Sequence, residues 1–411
     1  MSDLLLKNIA FLGGVDTEGK SIRKGAEMKD FTVIENAFLL VSKGKIIDFG
    51  KMENAPERAT RVVDASGKTV LPGWCDSHTH IVFAGSREKE FVDKIKGLSY
   101  EEIAKRGGGI LNSAKLMETA SEESLLESAF LRLGEIKDMG TTSVEIKSGY
   151  GLSLESELKM LRVIKKLKSI SPVQIKSTFL GAHAFPMEFR EKKDAYVDLI
   201  IDKMLPQIAD EGLADYCDVF CDRGFFSVEQ TDRILQAAAK YNMPPKIHAN
   251  ELDFSGGIQV GVKNNALSVD HLECVGEEEI AVLKNSKTMA TLLPSTAFYL
   301  GMEYAPARKM IDSGLPVAIA SDYNPGSSPS GNMPFVVSLS CIKMKMLPEE
   351  ALNAATINGA YAMGFEKNAG SITKGKRADF FITKKIPSVD FIPYAFGSSL
   401  IESVFIEGQL Q

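Results

Sequence analysis

The feature of this sequence that most restricts its fold is a regular alternation of two kinds of segment, which starts at about Thr69. Short runs of apolar and β-branched residues alternate with longer segments whose apolar residues recur every three to four positions. The first pattern predicts buried strands and the second predicts amphipathic helices. Eight strands are predicted in this way: TVLPGWCDSH, TSVEIKS, IKSTFLGAH, YCDVFCD, PKIHANE, ALSVDHLE, TMATLLPS and LPVAIASD.

Two of the intervening segments carry especially clear helix signals. Ser227 and Gln230 have the spacing of a capping box, which predicts that a helix begins there. In the segment SEESLLESAFLRLGEIKDMG, one helix face would carry Leu125, Ala129, Leu133 and Ile136.

Eight alternating strand and helix units favour a closed (β/α)8 barrel, which we assign to residues 69–364. An open doubly wound sheet is less economical, and the glycine-rich dinucleotide fingerprint is missing after the first strand. The flanking segments contain short β-like runs such as FTVIENAFLLVS, GKIIDFG and ESVFIEGQ. We therefore expect residues 1–68 and 365–411 to form one small β-sandwich domain beside the barrel.

Composition excludes several classes of partner. The formal charge of −6 and the lack of a basic stripe argue against nucleic acid. The sequence contains neither a signal peptide pattern nor a run of about 18 apolar residues, so we expect a soluble, cytoplasmic protein without a membrane partner. Five cysteines fit a reducing compartment, and the Cys217 and Cys221 pair reads as part of a buried strand. A homodimer is our prior expectation.

The histidines of the chain all fall at equivalent places in this pattern. Each comes at or just beyond the carboxyl end of a predicted strand, which is the rim where barrel enzymes build their sites. A lone histidine is more often structural than functional, but five at one rim indicate a site. They are His78, His80, His183, His248 and His271.

Four side chains at this rim form a candidate metal site. His78 and His80 alternate along one strand, so both imidazoles can face the same ion. His248 at the end of strand five and Asp322 at the end of strand eight would complete a set that suits one zinc or iron ion. Such an ion lowers the pKa of a bound water toward about 7, which indicates hydrolysis.

These ligands, in the contexts LPGWCDSHTH and IASDYNPG, resemble those of the amidohydrolase superfamily. The later segment GSITKGKRADFFI resembles the return of that superfamily to its second domain, so the resemblance covers essentially the whole chain. Binuclear members carry a bridging lysine on strand four, where this chain has Cys221 and Asp222. The resemblance therefore implies one ion per subunit, either Zn²⁺ or Fe²⁺/Fe³⁺.

Seven loop motifs, taken together, resemble the imidazolonepropionase family within that superfamily. They are FAGSREKEF, GGGI, EIKSGYGL, FLGAHAFP, HANE, DHLE and SDYNPGSSP. The resemblance implies hydrolysis of the cyclic amide 4-imidazolone-5-propanoate to N-formimino-L-glutamate, in histidine degradation.

Three residues are candidates for handling protons during this reaction. Glu251 follows His248 by three positions, where a carboxylate can act as general base and contact the substrate. His271 could polarise the ring carbonyl or stabilise the oxyanion while metal-bound hydroxide attacks. Which of Glu251, His271 and Asp322 takes the first proton stays open.

The anionic substrate needs a cationic partner. Arg87 is the first candidate, because a guanidinium can bind a carboxylate through two hydrogen bonds. The resemblance places Tyr150 and His183 around the imidazolone ring, with Tyr100 as a weaker candidate. The turn after Asp322 offers further donors to the substrate's polar tail from Asn324, Gly326 and Ser327.

The glycine-rich segment Gly107–Gly109 lacks the ending of a phosphate-binding loop, so we interpret it as a mobile loop over the barrel mouth.

Two other functions stay open. HANE also resembles the HxxE of aminohydrolases that deaminate a heterocyclic base, although a neutral base does not need Arg87. A barrel that serves as an inactive scaffold is disfavoured because every ligand position is filled.

Overall fold

The computed structural model describes residues 3–98, 102 and 108–411. Eight parallel strands follow one another around a barrel in chain order, which confirms the predicted (β/α)8 architecture. The barrel strands are β6 (Trp74–Thr79), β7 (Thr141–Lys147), β8 (Gln174–Ala182), β9 (Tyr216–Cys221), β10 (Pro245–Ala249), β11 (Ser268–His271), β12 (Met289–Leu292) and β13 (Val317–Ile319).

The barrel closes where the first strand meets the segment that follows the eighth. The backbone N–H of His80 donates to the Tyr323 carbonyl oxygen at 2.8 Å, and the N–H of Asp322 donates to the His78 carbonyl oxygen at 3.0 Å. Below them, the Asp76 carboxylate accepts from the backbone N–H of Ser321 at 2.9 Å. These bonds bring Asp322 beside the two histidines of β6, although the three residues are far apart in sequence.

The predicted first strand, TVLPGWCDSH, is divided in the structure. Its first half forms β5 (Lys68–Pro72), which belongs to the other sheet, and only β6 belongs to the barrel. Gly73 lies between them, where a Cβ atom would be 2.1 Å from Thr142 Oγ1. The chain passes from one sheet to the other at this close contact, which only glycine allows.

The two ends of the chain meet in one eight-stranded sheet. Its strands, in sheet order, are β16 (Gln409–Leu410), β15 (Ile401–Ile406), β14 (Phe380–Lys385), β5, β1 (Leu4–Val15), β2 (Thr32–Ser42) and β3 (Lys45–Lys51), and β4 (Arg61–Asp64) pairs with β1. This is the additional β domain that the sequence predicts from both termini.

The helices cover the outside of the barrel and bear out both helix signals. The capping box of Ser227 and Gln230 is formed, and the predicted apolar face of helix Glu122–Asp138 is buried. The other α-helices are Glu88–Ile95, Ile110–Thr119, Leu154–Ile170, Lys193–Leu199, Leu205–Glu211, Val228–Ala239, Gly257–Lys263, Glu277–Lys284, Pro294–Leu300, Ala307–Asp312, Met333–Ile342, Pro348–Ala355, Ile357–Ala362 and Phe391–Tyr394. Short 3-10 turns span Gly25–Lys29, Met52–Asn54 and Met187–Phe189, and a π-helical turn spans Ile200–Met204.

Within the described part of the chain, no helix has both the length and the apolar character needed to cross a membrane. The sulfur atoms of all five cysteines are unpaired, and Cys217 and Cys221 lie buried in β9 as predicted.

The short helix Ile357–Ala362 packs tightly behind β6, so Gly359→Ala should destabilise the barrel. A Cβ atom there would lie 2.3 Å from the Cys75 carbonyl oxygen, and overpacking of this kind costs about 1–3 kcal/mol. Gly134→Ala in helix Glu122–Asp138 is the matched control, because nothing lies within 4 Å of its added Cβ. Alanine is favoured there by about 0.5–1 kcal/mol. Thermal unfolding should give a lower Tm only for Gly359→Ala, and equal Tm changes would contradict this packing.

Candidate metal centre and active site

All five histidines lie together at the carboxyl ends of the barrel strands. The ring centroids of His78 and His248 are 4.5 Å apart, and those of His78 and His80 are 5.2 Å apart. His183 stacks on His80 at 5.4 Å, and His271 lies 5.2 Å from His248. Side chains from four different strands therefore meet in one cluster, where the sequence predicts the site.

Two overlapping groups in this cluster could hold a metal ion. In the first, His78 Nε2 and His80 Nε2 are 3.3 Å apart, and Asp322 Oδ1 lies 3.6 and 3.7 Å from them. In the second, ring nitrogens of His78, His248 and His271 lie within 4.8 Å of one another. The two groups share His78, and His271 was predicted only as a catalytic residue.

The opposite side of the two central rings is held by buried carboxylates. His78 Nδ1 lies 2.7 Å from Asp270 Oδ2, and His248 Nδ1 lies 3.0 Å from Asp218 Oδ2. A carboxylate accepts a hydrogen bond from an Nδ1 atom that carries a proton, and in a neutral ring of this tautomer Nε2 keeps its lone pair. This is the arrangement that a divalent cation requires of its histidine ligands, and the residues fit such an ion.

Beneath the histidines, Lys147 of β7 holds both carboxylates from inside the barrel. Its Nζ atom lies 2.7 Å from Asp218 Oδ2 and 3.3 Å from Asp270 Oδ2. A third carboxylate, Glu145, lies 2.8 Å from the same nitrogen and also pairs with Lys246 of β10. All five side chains are fully buried.

These charges set the protonation of the cluster. Burial alone would lower the pKa of Lys147, but Asp218, Glu145 and Asp270 raise it above its ordinary value, so the ammonium stays charged. Burial, together with the Lys147 charge, holds the pKa of His78 well below its usual range. Burial does the same to His80. The rings of His78 and His80 are therefore neutral, the form in which imidazole binds a metal.

On the other side of His271, two glutamates face the same ring nitrogen. Glu251 Oε2 lies 3.7 Å and Glu273 Oε2 lies 3.9 Å from His271 Nδ1. Burial and the charges of Asp322 and Asp222 raise the pKa of Glu251 to about 8. His271 has a φ of +84°, which is uncommon for a residue other than glycine. Strained backbone conformations of this kind cluster at functional sites.

The loop after β7 positions the predicted ring-binding residues. The fully buried carboxylate of Glu157 accepts from the backbone N–H groups of Gly151 at 2.7 Å, Leu152 at 3.1 Å and Gly149 at 3.2 Å. The Gly149 carbonyl in turn lies 3.0 Å from His183 Nδ1. Tyr150, between these glycines, is buried, and its ring lies 5.8 Å from that of His80.

Arg87 lies at the start of helix Glu88–Ile95 and packs against the turn after Asp322. A Cβ atom at Gly326 would be 2.2 Å from Arg87 Nη1. The N–H groups of Gly326 and Ser327 donate to Asn324 Oδ1 at 2.7 and 2.9 Å. These two N–H groups, which were predicted to bind the substrate, therefore form hydrogen bonds within the turn instead. Gly107 of the predicted mobile loop and Tyr100 lie outside the described residues.

The charged residues below and beside the histidines were not predicted from the sequence. The signal for Lys147 and Lys246 was present, because each lysine interrupts a run of otherwise strand-like residues that ends at the rim. Their partners, Asp218 and Asp270, lie on two other strands. The pairing becomes visible only when the barrel brings these strands together.

The chain matches the model of the amidohydrolase family over residues 69–410. It is 59% identical over 407 residues to a protein named imidazolonepropionase from Flavobacterium johnsoniae, with 99% of each chain covered. It is 57% identical over 408 residues to a protein of the same name from Christiangramia forsetii, again with 99% of each covered.

Among solved structures, an adenosine deaminase from Xanthomonas campestris with bound zinc superposes with a TM-score of 0.70. The alignment covers 100% of this chain and 92% of the other at 18% identity, so this likeness shows the fold alone. Membership of this family, together with the cluster of histidines and Asp322, implies a divalent metal ion. The chain belongs to the amidohydrolase family and, within it, to the imidazolonepropionases.

Proposed function

We propose that this enzyme hydrolyses the ring amide of 4-imidazolone-5-propanoate to N-formimino-L-glutamate, a step of histidine degradation. The observation that carries the proposal is a site with a metal-binding end and a cationic end. The histidine cluster forms the first, and Arg87, packed on Gly326 four residues beyond Asp322, forms the second. Relatives at 59% and 57% identity carry the name of this activity.

We propose that His78, His80, His248 and Asp322 hold one zinc or iron ion per subunit. The converging Nε2 atoms of His78 and His80 and the nearby Asp322 oxygen support this set. When bound, such an ion supplies Lewis acidity that activates water and polarises the ring carbonyl. Thr296 donates to the second oxygen of Asp322 at 2.6 Å and so directs the first oxygen toward the histidines.

In this proposal, Glu251 and His271 move the protons of the reaction. Glu251 takes a proton from the attacking water and returns it to the ring nitrogen as the carbon–nitrogen bond breaks. Its raised pKa suits both steps, because the carboxylate accepts and releases a proton near neutral pH. His271 is neutral and can donate a hydrogen bond to the carbonyl oxygen as negative charge develops there.

The rest of the pocket would hold the substrate by its two ends. Tyr150 and His183 border the ring, and Arg87 binds the propionate beside the turn of Asn324, Gly326 and Ser327. The proposal also places the enzyme in the cytoplasm, a reducing compartment that fits its five cysteines without disulfide bonds, and includes a homodimer as a prior expectation.

The direct test is turnover of 4-imidazolone-5-propanoate by the metal-loaded protein, followed by its absorbance. Arg87→Ala should raise KM about 10- to 100-fold with little change in kcat, because a charged hydrogen-bonded contact contributes about 1.5–3 kcal/mol. Arg190→Ala, at an exposed arginine, is the control. A folded, metal-loaded protein that does not hydrolyse this substrate would contradict the proposed function. Release of ammonia from a nucleobase would favour the deaminase alternative.

Asp270→Asn should weaken metal binding about 10- to 100-fold. Both carboxylate oxygens of Asp270 accept hydrogen bonds, which come from His78, Lys147 and Ser268, whereas the asparagine amide has only one acceptor oxygen. Competition with a chelator measures the affinity. Asp138→Asn removes the same charge at a side chain that is 75% exposed and should bind metal like the parent. Equal affinities for the two variants would show that Asp270 does not support the site.

Glu251→Gln should lower kcat about 10²- to 10⁴-fold and leave KM nearly unchanged, because the amide cannot carry the proton. Steady-state kinetics at saturating substrate measure this loss. Glu277→Gln, at a side chain that is 83% exposed, is the control and should keep the parental kcat. A Glu251→Gln variant with parental kcat would assign the proton transfer to another group.

A further inference from the structure

We propose that Glu90 is a positioning residue for carboxylate recognition, an inference that rests on the proposed binding of propionate by Arg87. Nε and Nη2 of Arg87 both donate to Glu90 Oε2, at 2.8 and 2.5 Å. Both side chains are nearly buried, with 13% and 11% of their surfaces exposed. An ion pair shielded in this way is screened less by solvent than one on the surface.

The contact leaves a defined part of the guanidinium for a ligand. Of the five N–H groups of Arg87, Glu90 takes one on Nε and one on Nη2. The two N–H groups of Nη1 and the second of Nη2 remain, and one N–H of Nη1 lies parallel to that of Nη2 along the end edge of the planar group. A carboxylate can bind such an edge through two parallel hydrogen bonds. Glu90 thus selects which edge of Arg87 faces the substrate.

The opposite wall restricts the guanidinium further. Gly326 has no Cβ, and a methyl group there would collide with Arg87 Nη1. Its carbonyl oxygen accepts from Lys94 Nζ at 3.3 Å, so a second cation lies beside the same turn. Among the described side chains, Arg87 and Lys94 are cations that contact this turn, and Glu90 is the anion that pairs with Arg87. The remaining positive charge matches a single carboxylate.

The second oxygen of Glu90 is also engaged. Oε1 accepts from the backbone N–H of Gly109 at 2.9 Å, immediately before helix Ile110–Thr119. Gly109 has a φ of +85°, so this position favours glycine. Glu90 therefore connects the arginine to a second segment, and both of its oxygens must be acceptors. Glutamine offers only one acceptor oxygen and loses one of the two contacts.

The test compares two substrates in two matched variants. Glu90→Gln should raise KM for 4-imidazolone-5-propanoate about tenfold, the size expected for losing one charged hydrogen bond. KM for the neutral propionamide analogue should not change, and kcat should change little for either substrate. Glu88→Gln removes the same charge from the same helical turn at an exposed side chain, and should match the parent with both substrates.

Circular dichroism and metal content establish that each variant is folded and loaded. If Glu90→Gln does not fold, Glu90→Asp replaces it, since it keeps both acceptors but draws them back from Arg87, and the same selective rise in KM is expected. Unchanged KM for the propionate, or an equal rise for both substrates, would overturn the role of Glu90. The proposed function fails separately, when the parent protein leaves the imidazolone intact, and the inference falls with it. The inference fails alone when the parent is active and Arg87→Ala raises KM but the Glu90 variant does not.

Discussion

The contact of Lys147 with Asp218 and Asp270 is the interaction on which the site depends. Two carboxylates buried in a barrel interior would favour their protonated forms. The ammonium lies 2.7 Å from Asp218 and 3.3 Å from Asp270, so it offsets the cost of burying both carboxylates and fixes their orientation. Each then holds the Nδ1 atom of one histidine, so the Nε2 atoms face the rim. Without this support, His78 and His248 could turn, and the ligand set would lose its geometry.

The site therefore has two ends built by different means. At the metal-binding end, side chains of rigid strands are held from below by buried charges. At the cationic end, Arg87 immediately precedes helix Glu88–Ile95, and Glu90 and Gly326 restrict it from either side. An anionic ring substrate bound between them would present its amide to the metal and its carboxylate to the arginine. An adenosine deaminase shares this fold, so the fold alone does not determine the substrate, and in our proposal the cationic end does.

Much of the architecture could be predicted, because alternation of strands and helices and the histidine positions are local patterns. The divided first strand could not, since the collision that requires Gly73 involves Thr142, which is distant in sequence. The same holds for the partners of Lys147, which lie on two other strands. The donors of the Asn324 turn were predicted from residue type, but whether they bond each other depends on the backbone of the turn.

The most direct test of the central claim is anomalous diffraction from crystals of the metal-loaded protein, measured at the absorption edge of the bound metal. One peak is expected per subunit, coordinated by Nε2 of His78, His80 and His248 and by Asp322, with Lys147 still between Asp218 and Asp270. Two peaks per subunit, or a single ion bound by His271 instead of His80, would contradict this assignment.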